Sequence, residues 1–296
     1  MIINAQTLDL AFKGFKTVYT DAYLQVPSFA EKIFMKVPSQ SRDESYGWLG
    51  QFPQLREWIG ARVVHNLKSY GFTITKRMFE STVSVSRNDI ADDRMGVFKP
   101  MFSEMGQLAR RPPEELMFGL IKNGFNSLCF DGQNFFDTDH PIIKDEQVEL
   151  VSNMQAGTGP AWFLFDTSRG VRPVIWQERE SCEFQGMTDP ENPNVFLNNE
   201  YVYGVRARVN AGFGLWQLAF GSKAALTAEN YAAARAAMMN FCSDGGRKLG
   251  VSPTVLVVSP ALEFDARNIL NAEITSGGGT NVWRNTAELI IPPYVA

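Results

Sequence analysis

YGWLGQFPQLREW, residues 46–58, lies inside a longer extended segment that runs from about Arg42 to Ser86. Tyr46, Trp48, Phe52 and Trp58 are aromatic, and only Arg56 and Glu57 carry charge. Gly47, Gly50 and Pro53 break both the helical period and strict strand alternation. An irregular loop therefore carries a core's share of aromatic side chains. Each such side chain buries on the order of 150–250 Å², and a soluble monomer rarely leaves several together in water. Two readings follow. Either the loop folds onto its own subunit's core, or it projects as an arm whose apolar surface is buried by a neighbouring copy.

The flanks extend this pattern. IGARVVHNLKSYG (59–71) leads into FTITKRMFESTVSVS (72–86), where Phe72, Ile74, Val83 and Val85 alternate with Thr and Ser. β-Branched residues at period two predict strands. The whole reads as a long hairpin-like projection with polar strands and an aromatic tip. Such a hairpin is marginal alone in water and needs a surface to lie on. Upstream, residues 1–36 predict a short amphipathic helix followed by an extended arm. Leu8, Leu10, Phe12, Phe15, Val18 and Tyr19 form its apolar stripe, and Pro27 ends it. This arm packs on its own domain or reaches across to a neighbour.

Downstream, Phe98, Met101, Phe102, Met105 and Leu108 recur at helical spacing. Pro100 is tolerated only in a first turn, which starts this helix near Val97. Pro112–Pro113 interrupts it or starts a second helix whose first turn holds Glu114 and Glu115. Asn123–Gly124 is a stop signal. The expectation is a long, kinked spine over about 97–123. Residues 125–160 are rich in loops. Strands then dominate in AWFLFD (161–166), VRPVIWQER (171–179) and the run 200–220, with Pro173 marking an edge or irregular strand and Gly212 and Gly214 a bend or bulge. From about 221 the pattern becomes helix, strand, helix, strand, with Thr227 and Ser259 as caps. The predicted class is α+β, a mostly antiparallel sheet against a spine helix and a compact second domain at 221–296.

The chain has 296 residues, 45% hydrophobic and 20% charged, with a formal net charge of −4. That supports a large core and offers no basic stripe for gripping nucleic acid through its phosphates. Cys129, Cys182 and Cys242 are far apart, an odd count that speaks against a disulfide framework and fits a reducing compartment. No apolar run reaches membrane-spanning length, and the N-terminus lacks the apolar centre of a signal peptide. Synthesis and folding in a cytoplasm are the expectation.

Catalytic signatures are weak. Asp137, Asp139 and His140 form the best metal candidate, yet no second histidine lies nearby, no CxxC occurs, and such acids commonly cap turns. No GxSxG is present, and His65 or His140 would each have to act as the sole base. Gly277–Gly279 leads towards a strand rather than a helix N-terminus, the wrong context for a phosphate cradle. NAGFGLW (210–216) lies inside a strand pattern, the wrong place for dinucleotide binding. A pair of carboxylates remains open among the 32 Asp and Glu residues, and nothing singles one out. No catalytic, cofactor or metal residues are assigned.

SYGWLGQFPQLREWIGARVVHNLKSYGFTI, FDGQNFFDTDHP, VRPVIWQER, GFGLWQLA and DGGRKLGVSPTVLVV, in this order, resemble the major head (capsid) protein of Mu-type transposable phages, the gpT family. The resemblance runs from near residue 1 to the C-terminus. It implies a Hong Kong 97-type (HK97-like) capsid fold. Its parts would be an N-terminal arm at about 1–36, an extended loop at 37–86, a peripheral domain at 87–220 and an axial domain at 221–296. The peripheral domain would hold the spine helix and the long strands of 161–220. In many capsid proteins of this fold the axial domain is inserted before the last peripheral strands, whereas here the α/β segment comes last, which points to a rearranged chain order.

The resemblance implies a subunit that forms hexamers and pentamers of an icosahedral head enclosing double-stranded DNA, assembled in the host cytoplasm, with no reaction catalysed and no cofactor. Tyr46, Trp48, Phe52 and Trp58 would anchor the extended loop on an adjacent subunit, and Arg56, Arg62 and Lys68 would pair with carboxylates there. A chain that starts at the arm would be expected to lack a fused scaffolding segment, which implies a separate scaffolding protein, together with a portal and room for a decoration protein. Two alternatives stand beside this. One is an encapsulin-like compartment that holds cargo enzymes. The other is a carboxylate-based hydrolase whose aromatic loop binds sugar.

Overall fold

The computed structural model describes residues 4–41, 43–49, 72–144, 147–189, 191–275 and 277–295. The chain opens with α1 (Ala5–Gln25), 21 residues long and thus well beyond the short helix expected. Asn4 caps it by accepting from the Thr7 N–H, while the Thr7 hydroxyl accepts from the Asn4 N–H. Leu8, Ala11, Phe15, Tyr19 and Ala22 are buried along one face, and Leu10 points to solvent. Then come β1 (Phe34–Pro38), β2 (Asp43–Ser45), β3 (Thr73–Thr75), β4 (Arg77–Ser86) and the one-turn α2 (Arg87–Ala91).

The expected spine is two helices, α3 (Lys99–Ala109) and α4 (Arg111–Lys122), meeting at Arg110. Pro112 and Pro113 lack the N–H groups a continuous helix would need, and so they occupy the first turn of α4. Arg110 holds the junction to the chain's own N-terminal region. Its guanidinium donates to the Tyr23 hydroxyl at 3.2 Å, pairs with Glu31 at 2.8 Å and lies over the Tyr23 ring. α1 packs along α3, so of the two readings of residues 1–36 the helix takes the one within its own subunit. Gly106 permits the close crossing, since a Cβ there would lie 2.3 Å from the Tyr19 carbonyl oxygen.

The remaining elements are β5 (His140–Lys144), β6 (Gln147–Val151), β7 (Met154–Gln155), β8 (Trp162–Phe165), β9 (Val174–Met187), α5 (Pro193–Asn198), β10 (Glu200–Phe213), β11 (Ala219–Ser222), α6 (Ala228–Met239), β12 (Val255–Val258), α7 (Glu263–Leu270) and β13 (Glu288–Ile290). Two sheets organise them. The first has the order β1-β9-β10-β4, with β1 parallel to β9 and the rest antiparallel. The second has the order β13-β12-β8-β11-β7.

Pairing corrects several expectations. β4 runs beside β10 from Ser86 opposite Glu200 to Arg77 opposite Val209. Residues 77–86 are therefore part of a sheet and not the far limb of a projecting loop. Pro173 does not make an edge strand: β9 is central and begins at Val174, so the proline's missing N–H costs no ladder bond. The irregular register in β10 falls at Arg206–Val209 and not at Gly212. The second sheet also crosses the boundary expected at 221. β8 and β11 pair with each other, and β8 pairs with β12. Their side chains are buried throughout, so these strands need cover on both faces and associate with the other fully buried strands.

Two apolar cores result. One joins α1 and α3 to the β4, β9 and β10 sheet through Phe15, Phe102, Phe184 and Tyr203. The larger one holds α4, the second sheet and the helices α6 and α7. Among the described residues no helix is long and apolar enough to cross a membrane.

Candidate functional site

The described base of the extended loop is a short antiparallel pair, β2 with β3, in which Asp43 faces Thr75 and Ser45 faces Thr73. Glu44 staples the turn that enters it. One carboxylate oxygen accepts from the Ser39 hydroxyl at 2.6 Å and from the N–H groups of Gln40 and Ser41 at 3.1 Å. These bonds lower the pKa of Glu44 to about 2, the Ser39 hydroxyl first and the Ser41 and Gln40 backbone next. The Lys76 ammonium donates to the Ser39 hydroxyl and the Ser41 carbonyl, which ties the outgoing strand to the same turn. Gln177 of β9 adds a bond to Ser39 at 3.2 Å, which connects the turn to the sheet.

Beyond this staple the loop first turns inward. The Tyr46 N–H donates to the Phe72 carbonyl at 2.9 Å, and both Tyr46 and Leu49 are buried in the larger core. Tyr46 was expected to anchor on an adjacent subunit; its ring instead packs within its own chain, because the β2–β3 pairing delivers it directly beneath the loop base. Its hydroxyl has no partner among the described residues, and burial, then the Glu44 charge, pushes its ionisation up to about 12. Trp48 behaves differently. It stands edge-on to Tyr46 at 6.2 Å and stays 40% exposed. Phe52, Arg56, Trp58, Arg62 and Lys68 lie outside the described residues.

Sequence reading missed further apolar surface. Phe196 and Leu197 on α5 are 79% and 77% exposed, and Phe264 on α7 and Val282 are each 75% exposed. No periodicity marks them, because a helix as short as α5 has no repeat to break. A protein that leaves large side chains at several such places has surface suited to burial by other molecules.

Asp137, Asp139 and His140, the best metal candidate in the sequence and not assigned as one, do not come together. Asp137 accepts from the N–H groups of Asn134 and Thr138, and Asp139 is exposed. His140 turns inward and meets Asp131 and Cys129, whose ligand-type atoms all lie within 4.8 Å of one another. Each is hydrogen-bonded within the group: His140 Nδ1 to Asp131 Oδ2 at 2.7 Å, and the Cys129 thiol to Asp131 Oδ1 at 3.0 Å. Burial first, and the Asp131 charge next, pushes the thiol far up, so it is a poor nucleophile. The spacing of Cys129 and Asp131 before His140 carried no recognisable motif; only the fold of the 126–139 loop brings them together.

Comparison with known proteins identifies the family. The family described as Mu-like prophage major head subunit gpT matches residues 8–295. The chain is 36% identical over 305 residues to the major capsid protein of Escherichia phage Mu, covering 100% of both. Its structure is similar to that of a subunit of the procapsid of bacteriophage JBD30, with a TM-score of 0.88 and 40% identity over 99% of this chain and 100% of the other. It is also similar to the subunit of the JBD30 capsid decorated with minor capsid protein trimers, with a TM-score of 0.75 and 31% identity over 94% and 93% of the two chains.

Proposed function

The chain belongs to the Mu-like prophage major head subunit gpT family and is a major capsid protein of Hong Kong 97-type fold, and we propose that its copies close as hexamers and pentamers into an icosahedral head around double-stranded DNA. The observation that carries the assembly reading is the surface left over after folding. Trp48, Phe196, Leu197, Phe264 and Val282 remain exposed although the chain has two well-filled cores. Exposed apolar side chains of this kind are stabilised by burial against further copies.

Within this reading the first sheet with α1, α3 and α4 serves as the peripheral part, and the second sheet with α6 and α7 as the axial part. The chain then passes from one to the other more than once, and β8 lies in the axial sheet ahead of the long strands β9 and β10. Trp48 is the described aromatic that reaches a neighbour, with Phe52 and Trp58 beyond it. Arg56, Arg62 and Lys68 supply charge to the same contact. A scaffolding protein, a portal and a decoration protein are the further partners. Assembly takes place in the host cytoplasm, and the subunit catalyses no reaction.

The test is replacement of Trp48 and Trp58 together by Ala. The variant is expected to be soluble, with circular dichroism like that of the parent, and to form no shells under negative-stain electron microscopy. Normal particles would refute the anchoring role.

A further inference from the structure

His140 lies at the start of β5, fully buried, with its ring stacked on Trp216 at 4.1 Å between centroids. Nδ1 is 2.7 Å from Asp131 Oδ2, and Nε2 is 3.2 Å from Asn153 Oδ1. The orientation of the Asn153 amide is dictated by its other contacts. Its Nδ2 faces the carbonyl oxygens of Phe135, Trp216 and Ala219 at 2.8, 3.5 and 3.4 Å, where only a donor fits. Its Oδ1 accepts from the Asp137 N–H at 2.9 Å. Nε2 therefore meets an oxygen and must carry a hydrogen.

A neutral imidazole has only one N–H. If that hydrogen is on Nε2, Nδ1 would turn a bare lone pair towards a carboxylate oxygen. A proton has to lie between Nδ1 and Oδ2, on one side or the other. Asp131 Oδ1 already accepts from the Cys129 thiol and from the Gln133 N–H, both at 3.0 Å, and donors of this kind favour the ionised carboxylate. Burial would raise the pKa of Asp131, but the hydrogen bonds from His140, the thiol and the Gln133 N–H outweigh it and hold the carboxyl below its usual range. The Trp216 face also attracts a cation.

We propose that His140 is an imidazolium held against an ionised Asp131, a buried ion pair that clamps the 126–139 loop and the β5–β6 hairpin onto Trp216 and β11. The groups that meet the ring come from three places: Asp131 from the loop after α4, Asn153 from the turn after β6, and Trp216 from the turn before β11. Of the other acids in that loop, Asp137 directs its oxygens to the N–H groups of Asn134 and Thr138, and Asp139 is exposed. Removing the Asp131 charge should therefore strip the extra proton from the ring and leave the Nε2 bond in place.

The chain has two histidines, His65 and His140, so His65→Gln leaves a single ring to observe. Full-length protein labelled with 15N-histidine would be studied as assembled particles by solid-state NMR at about pH 8, where a histidine in water has shed its second proton. The expected result is a directly bonded hydrogen on both ring nitrogens. A bare Nδ1 overturns the proposal, as does a stoichiometric divalent metal found by elemental analysis and bound at that nitrogen. Adding Asp131→Asn to the same background should leave Nδ1 bare and Nε2 protonated; a ring that keeps both hydrogens also overturns it. The first measurement needs no change at the clamp and stands even if the Asp131 variant does not fold.

Discussion

Ile74 occupies the space that a side chain at position 212 would need. A Cβ built on Gly212 would lie 2.2 Å from Ile74 Cδ1 and 2.5 Å from Cγ1. The outgoing strand of the loop base is thereby seated against β10, and the glycine next to the last residue of β10 is the seat. Gly212→Ala should destabilise the free subunit by about 1–3 kcal/mol, the range for overpacking a filled site, measured by urea unfolding before assembly. Shortening the partner should relieve it: in Gly212→Ala combined with Ile74→Val, the two costs should sum to more than the double variant shows. Strict additivity would mean the two positions do not share this space.

A second close approach joins α1 to α3. Gly106→Ala would place a methyl 2.3 Å from the Tyr19 carbonyl and 3.0 Å from the Ala22 Cβ, both on a helix backbone or stub that cannot swing aside. The expected outcome is separation of α1 from the core at a cost of about 1–3 kcal/mol, seen as faster amide hydrogen exchange across residues 8–22 with little change in β12. Unchanged exchange in α1 would show that the crossing has slack.

The loop-base staple depends on pH in one direction. Glu44 ionises at about 2 in the folded chain against a reference of 4.5, so its contribution is complete at neutral pH. It begins to fall as pH drops below the reference value and is gone once pH passes below the folded value. Amide exchange at Gln40 and Ser41, corrected for its intrinsic pH dependence, should lose protection over that acidic window. Glu44→Gln should lose it at all pH values, because the neutral amide is a weaker acceptor.

Tyr46 separates ring from hydroxyl. Its ring is part of the larger core while its hydroxyl is buried without a partner among the described residues. Tyr46→Phe should therefore change stability by less than about 1 kcal/mol, in either direction, since it removes a desolvated polar group. Tyr46→Ala should cost about 3–5 kcal/mol, as for other buried aromatics. Thermal unfolding of both variants distinguishes a core tyrosine from one waiting for a neighbouring subunit, for which neither change would matter to the free chain.

Much of the chain could be read without coordinates because local chemistry acts over a few residues. Pro112–Pro113 dictates a new helix start, Thr227 caps α6, and the unbroken apolar runs of β8 and β12 require burial on both faces. The order of the aromatic and glycine motifs likewise identified the family and with it the capsid fold. Tertiary structure alone decided which strands pair and which side chains meet. Strand pairing depends on partners more than a hundred residues away, such as Ser86 opposite Glu200, and no local pattern encodes that distance. The same holds for Tyr46, whose aromatic character pointed to an interface until the β2–β3 pair turned it inward. Cys129, Asp131 and His140 became a cluster only when the 126–139 loop closed, because proximity of polar groups is a product of chain path and not of spacing.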